Sequence, residues 1–232
     1  MPSTMTTAIY QRINEIQQAL RDAEIDGWLF YDFRGSDPLA YRILQLDPTL
    51  HVTRRWYYWI PAQGVPVKLL HRIEPHVLDT LPGQADCYVS WEQQREILAR
   101  LLAGGLRVAM QYSPLNAVPY VSRVDAGTIE LIRSYDVEVV SSADLIQTFE
   151  ARWTDRQLES HQFAAAALRR IVDQTFNHVH EAITQGRGLT EYRVQQFRLA
   201  RIREAGMVTA SAPSAAVNAH IADPHYGPTE TG

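Results

Sequence analysis

The sequence predicts an α/β protein in which a mixed β-sheet flanked by helices is followed by the opening helices and first strand of an incomplete second domain. Three observations predict it. Short extended runs alternate with helical patterns through the first 150 or so residues, and such alternation calls for a sheet covered on its faces. Near Ala151 the texture changes, and long helical patterns take over. Finally, 232 residues exceed a typical domain of about 100 to 200, so one full domain plus part of another is the natural division. The boundary is placed at Ala151, giving domains over 1–151 and 152–232.

Each element follows from its pattern. Ile9, Ile13, Ile16 and Leu20 recur at helical spacing and predict a helix from about residue 6 to 25. GWLFY (27–31) reads as a buried strand, which DFRGSDP (32–38) ends with Gly35 and Pro38. RRWYYWI (54–60) has strand propensity, and PAQG followed by VPVKLLH reads as a hairpin return. DCYVSW (86–91), RVAMQY (107–112) and VEVVS (137–141) are further strands, interleaved with the helical QQREILARLL and GTIELIRS. Thr154 and Gln157 form a capping box. The helix they start carries Leu168, Ile171, Val172, Val179 and Ile183 as an apolar seam to Gly186 and Gly188. TEYRVQQFRLARIREAG gives a second helix, and APSAAVNAH reads as the first strand of a new sheet.

Composition narrows the function. With 46% hydrophobic and 21% charged residues the chain can bury a core, and a formal net charge of −4 offers no basic face for a polyanion. Nucleic acid is therefore not expected as a partner. Single Cys87 cannot form an internal disulfide, the N-terminus lacks the apolar core of a signal peptide, and no run of about 18 apolar residues exists. No membrane association is expected, and a reducing cytoplasm fits.

Few residue groupings carry chemistry. His178 and His180, two apart on a helix, point in nearly opposite directions and cannot share a metal. Asp173, Asn177 and His180 share a stripe, which ordinarily is a solvated face. The run Arg54 to Trp59 reads as a packed strand with period-two alternation rather than a base-stacking surface, and Cys87 as a small strand hydrophobe. No glycine-rich phosphate loop and no GxSxG setting is present. DFRGSDP differs in kind. Asp32, Arg34 and Asp37 on a loop after a strand can present a charged fork to a carboxylate, with a turn held by a local ion pair as the alternative.

WLFYDFRGSDPLAYRIL, TRRWYYWIP, SPLNAVPYVSRVDAGTIELIRS, VEVVSSADLIQ and the closing VNAHIADPHYGPT, in this order, resemble the aminopeptidase P and prolidase family of metallopeptidases, which also contains creatinase. The resemblance covers nearly the whole chain. It implies a creatinase-like N-terminal domain followed by the start of a pita-bread catalytic domain, in a hydrolase that cleaves the bond preceding proline in proline-containing peptides. It further implies a homodimer and two divalent ions, manganese, cobalt or zinc, held in the full-length parent by two Asp, one His and two Glu downstream of the His-Tyr pair. This chain ends before those ligands, so it is expected to hold no metal or other cofactor and to be inactive alone. His225 matches the family histidine near the scissile bond, a catalytic and substrate-binding role; without the match it reads equally as a turn histidine beside Pro224. Arg34, oriented by Asp32, is the further substrate-binding candidate. Two alternatives stand beside this reading: a non-catalytic creatinase-like module that dimerises or caps another subunit, and a metal-independent amidinohydrolase related to creatinase.

Overall fold

The computed structural model describes residues 4–231, and the chain divides into two compact units, residues 1–152 and 153–232. The first is built on a six-stranded mixed sheet. In chain order its strands are β1 (Gly27–Asp32), β2 (Trp56–Pro61), β3 (Val67–His71), β4 (Gln84–Tyr88), β5 (Arg107–Met110) and β6 (Glu138–Ser141). Their order in the sheet is β4-β3-β2-β1-β5-β6. The β1/β2 and β2/β3 pairs are antiparallel, and β1/β5, β5/β6 and β3/β4 are parallel.

Both faces of the sheet are covered, which explains why its central strands read as continuous apolar runs rather than as an apolar and polar alternation. Successive side chains of β1 pass to opposite faces. Trp28 and Phe30 join Trp56, Tyr58 and Ile60 of β2 beneath α1 (Thr4–Asp22), α2 (Pro38–Ile43) and α5 (Ala143–Glu150). Leu29 and Tyr31 join Tyr57 and Trp59 against α3 (Trp91–Leu101) and α4 (Ala126–Arg133). The aromatic run 56–59 is thus a buried central strand with no ring available to stack a base.

Two details of the first unit differ from the expectations. The strand expected over 86–91 is displaced to Gln84–Tyr88, because Ser90 N-caps α3: its hydroxyl accepts from the Gln93 amide while the Gln93 side chain reaches back. Cys87 lies on that edge strand and is exposed, so it is not a packed hydrophobe.

The second unit consists of α6 (Asp155–Thr184), α7 (Glu191–Glu204) and an irregular tail with a 3-10 turn at Asn218–Ala222. The Thr154 and Gln157 capping box starts α6. Gly186, in the left-handed region at φ +64°, ends its hydrogen-bonding, with Arg187 N–H reaching back to the Ala182 carbonyl at 2.9 Å. His178 of α6 stacks flat on Phe197 of α7, centroids 4.3 Å apart. The apolar seam expected on α6 is only partly covered, since Ile171 is buried while Leu168, Val172 and Ile183 are exposed. The strand expected in APSAAVNAH does not form. Val217 has an extended backbone, φ −132° and ψ 159°, but its N–H is accepted by the Glu191 carboxylate instead of a neighbouring strand. An extended segment becomes a strand only when another strand satisfies its backbone groups. No helix among the described residues is long and apolar enough to cross a membrane.

Candidate functional site

The loop that follows β1 is built around one carboxylate. Arg34 (φ +62°) and Gly35 (φ +75°) are both left-handed, a pairing that turns the chain sharply back on itself. The amides of Gly35 and Asp37 donate to the Asp32 carboxylate, each at 3.0 Å. The Ser36 and Tyr41 hydroxyls reach it at 3.4 and 3.3 Å. Burial raises the Tyr41 hydroxyl to about 12, with the Asp32 charge as the next cause. Asp37 then caps α2: its Oδ1 accepts from the Leu39 and Ala40 amides at 3.0 and 3.1 Å, with Pro38 at the first helical position.

The charged fork expected from this loop is therefore corrected. Asp32 and Asp37 are both fully buried and face the loop's own backbone, so neither is offered to a ligand and Asp32 does not orient Arg34. The physical reason is the turn itself, whose inward amides need acceptors. Arg34 alone projects outward, exposed and without an ion pair or hydrogen bond among the described residues. It lines a cleft of about 780 Å³ with Gly35, Pro38, Tyr41, Arg42, Gln45, Leu46 and residues 48–53. Arg42 is neutralised by an ion pair with Glu150. That leaves Arg34 as the unneutralised guanidinium of the cleft, a planar fork suited to a carboxylate.

The second candidate lies in the other unit. His225 is exposed, and its amide donates to Asp223 Oδ1 at 2.8 Å in a tight turn. The groups beside it form a cluster that sequence reasoning missed. Glu191, the first residue of α7, accepts from Val217 N–H at 2.5 Å and from the Tyr226 hydroxyl at 2.6 Å, and His220 Nδ1 lies 2.8 Å from the same carboxylate. The His220 and Tyr226 rings stack at 4.1 Å. The Tyr226 hydroxyl foremost, then the Val217 amide and His220, hold the Glu191 carboxyl below its usual range, and Glu191 in turn raises Tyr226. Sequence signals existed in the Thr-Glu opening of α7 and in two histidines and a tyrosine of the tail, but nothing in the spacing says that residues 191 and 226 meet.

On the α6 stripe Asp173, Asn177 and His180 are exposed, and Asp173 pairs with Arg169 at 3.6 Å; His178, off the stripe, packs on Phe197. Among the described residues no three His, Cys, Asp or Glu are gathered as metal ligands would be.

Among solved structures, the chain is similar to the dipeptidase PepE from Mycobacterium ulcerans, with a TM-score of 0.58 at 18% identity over 96% of this chain and 56% of that one. It is also similar to a prolidase from Thermococcus sibiricus, with a TM-score of 0.52 at 15% identity over 84% of this chain and 49% of that one. The mixed α/β fold expected from the sequence is thus a fold found in a dipeptidase and a prolidase. The chain spans about half the length of these structures. No protein-family model and no curated protein matches the sequence.

Proposed function

We propose that this chain is the N-terminal portion of a metal-dependent peptidase of the aminopeptidase P and prolidase type, whose complete form hydrolyses the bond preceding proline. The observation that carries the reading is the fold shared with a dipeptidase along 96% of the chain, joined to the ordered motifs that end in ADPHYGPT. Among the described residues no three His, Cys, Asp or Glu are gathered as metal ligands would be, and on this reading the two divalent ions would be held by further residues of the complete form. When bound, such ions supply an activated water.

The contribution of this chain is binding and orientation. An imidazole N–H at His225 can donate to an oxyanion that develops on the scissile carbonyl. Arg34 can take the carboxylate of a short peptide in its two-pronged fork, and Gly35 beside it lets the peptide backbone come close. In a homodimer the DFRGSDP loop would serve the catalytic site of the neighbouring subunit.

The test is turnover of Xaa-Pro dipeptides by the complete gene product that carries this sequence, with manganese, cobalt or zinc supplied, alongside its Arg34→Ala variant. Chelator-sensitive hydrolysis is expected, with KM raised severalfold and kcat retained in the variant, because a contact made equally in ground and transition states is removed. No hydrolysis with any of the three metals would sink the peptidase reading. Hydrolysis with an unchanged KM and a lowered Tm would reduce Arg34 to a turn residue.

A further inference from the structure

We infer that Glu191 is a positioning residue for His225, its carboxylate closing residues 217–226 into a clamp that fixes where the His225 ring stands. The functional meaning of the clamp rests on the peptidase reading above; its geometry does not. Both ends of the segment are tied to one side chain, Val217 N–H to Oε1 at 2.5 Å and the Tyr226 hydroxyl to Oε2 at 2.6 Å. His220, in the middle, adds its Nδ1 at 2.8 Å and stacks on Tyr226. Between these anchors the chain is a 3-10 turn followed by a turn in which Asp223 accepts the His225 amide through its side chain and the Tyr226 amide through its carbonyl.

His225 thus has its backbone held on both sides while its ring stays exposed. That is the arrangement of a group positioned for an external partner. Nor is Glu191 needed to begin its own helix. Thr190 caps α7 through its hydroxyl, which accepts from the Arg193 amide at 3.2 Å. The Glu191 carboxylate is instead directed at the tail, and its place in the first helical turn favours the negative charge that strengthens all three contacts.

The experiment is NMR on the 232-residue chain and its Glu191→Ala, Glu191→Gln and Tyr226→Phe variants. It follows Val217 amide exchange, the His225 ring Cε1–H resonance, and backbone amides of β1 and α7 as controls. In Glu191→Ala, exchange at Val217 is expected to quicken about tenfold, the amount one net hydrogen bond contributes, and the His225 resonance to shift and broaden with β1 unchanged. Glu191→Gln keeps an acceptor oxygen and is expected to restore part of both. Should Glu191→Ala melt α7, Tyr226→Phe decides, since it deletes one hydroxyl and is expected to move the His225 resonance with α7 intact. An unmoved His225 resonance in Tyr226→Phe, or in a folded Glu191→Ala, overturns the inference. Titrating the wild-type chain with an Xaa-Pro dipeptide on the same resonance tests the peptidase reading separately, because a missing response there leaves the clamp standing.

Discussion

Asp32 and Asp37, five residues apart in one turn, are buried alike but solvated differently by the protein. Asp32 has donors on both oxygens. Asp37 has both of its donors on Oδ1, and Oδ2 has no partner. Burial above all pushes the Asp37 carboxyl up to about 6, the amides of α2 opposing it and the Asp32 charge adding to it. A carboxyl that binds its proton more tightly when folded favours the folded state at low pH. That contribution is complete below the unfolded value near 3.8 and is lost as pH rises through about 6. Asp37→Asn keeps the cap and removes the charge. At pH 7 it is expected to be more stable than the wild type by on the order of 3 kcal/mol, at about 1.4 kcal/mol per pH unit, with the difference fading towards pH 4. Urea melts of both proteins from pH 4 to 7 measure this, and a pH-independent difference would show that Asp37 does not titrate in that window. Arg34, Asp32 and Asp37 were legible as a set of charges on a turn. Which of them faces outward was not, because that depends on the two left-handed residues and the amides they turn inward.

Among the elements, β1 and β2 show how one residue admits another. They pair from Gly27 with Pro61 to Asp32 with Trp56, and the Trp59 ring occupies the space a side chain at 27 would need. A Cβ on Gly27 would lie 2.2 Å from that ring. Gly27→Ala therefore requires a buried indole to move in a strand covered on both faces, and is expected to cost about 2 to 3 kcal/mol in denaturant unfolding. A loss below about 0.5 kcal/mol would mean that Trp59 is free to turn away. Periodicity revealed α1, α3, α4, α6 and α7 because each carries apolar residues at helical spacing or a cap. It passed over α2 and α5, short helices that owe their place to packing on each other and on the sheet.

At the scale of the molecule, apolar burial is concentrated before residue 152. Both hydrophobic clusters lie there, whereas the buried apolar side chains described after it are Ala167, Ile171, Ala182, Ile202 and Pro228. Phe163, Leu168, Phe176 and Ile183 stand exposed on α6. The second unit should accordingly open at lower free energy than the first. Limited trypsin digestion is expected to leave a resistant fragment ending at Arg152 or Arg156, with cleavage within α7 among the early events. Equal survival of peptides reaching Arg203 would contradict that order.

The sequence by itself determined the local structure, because apolar period, caps and turn residues act within a few positions of one another. Thr154 with Gln157 announces α6, and Gly35 and Pro38 announce the end of β1. Tertiary structure alone decided what depends on distant partners. The order β4-β3-β2-β1-β5-β6 arises from pairing between strands far apart in the chain. The strand expected at 212–220 is absent because no described strand lies beside it, and Val217 N–H meets Glu191 instead. Backbone and carboxyl groups take whichever partner the fold brings within about 3 Å. Spacing along the chain carries no record of that choice for Glu191, His220 and Tyr226.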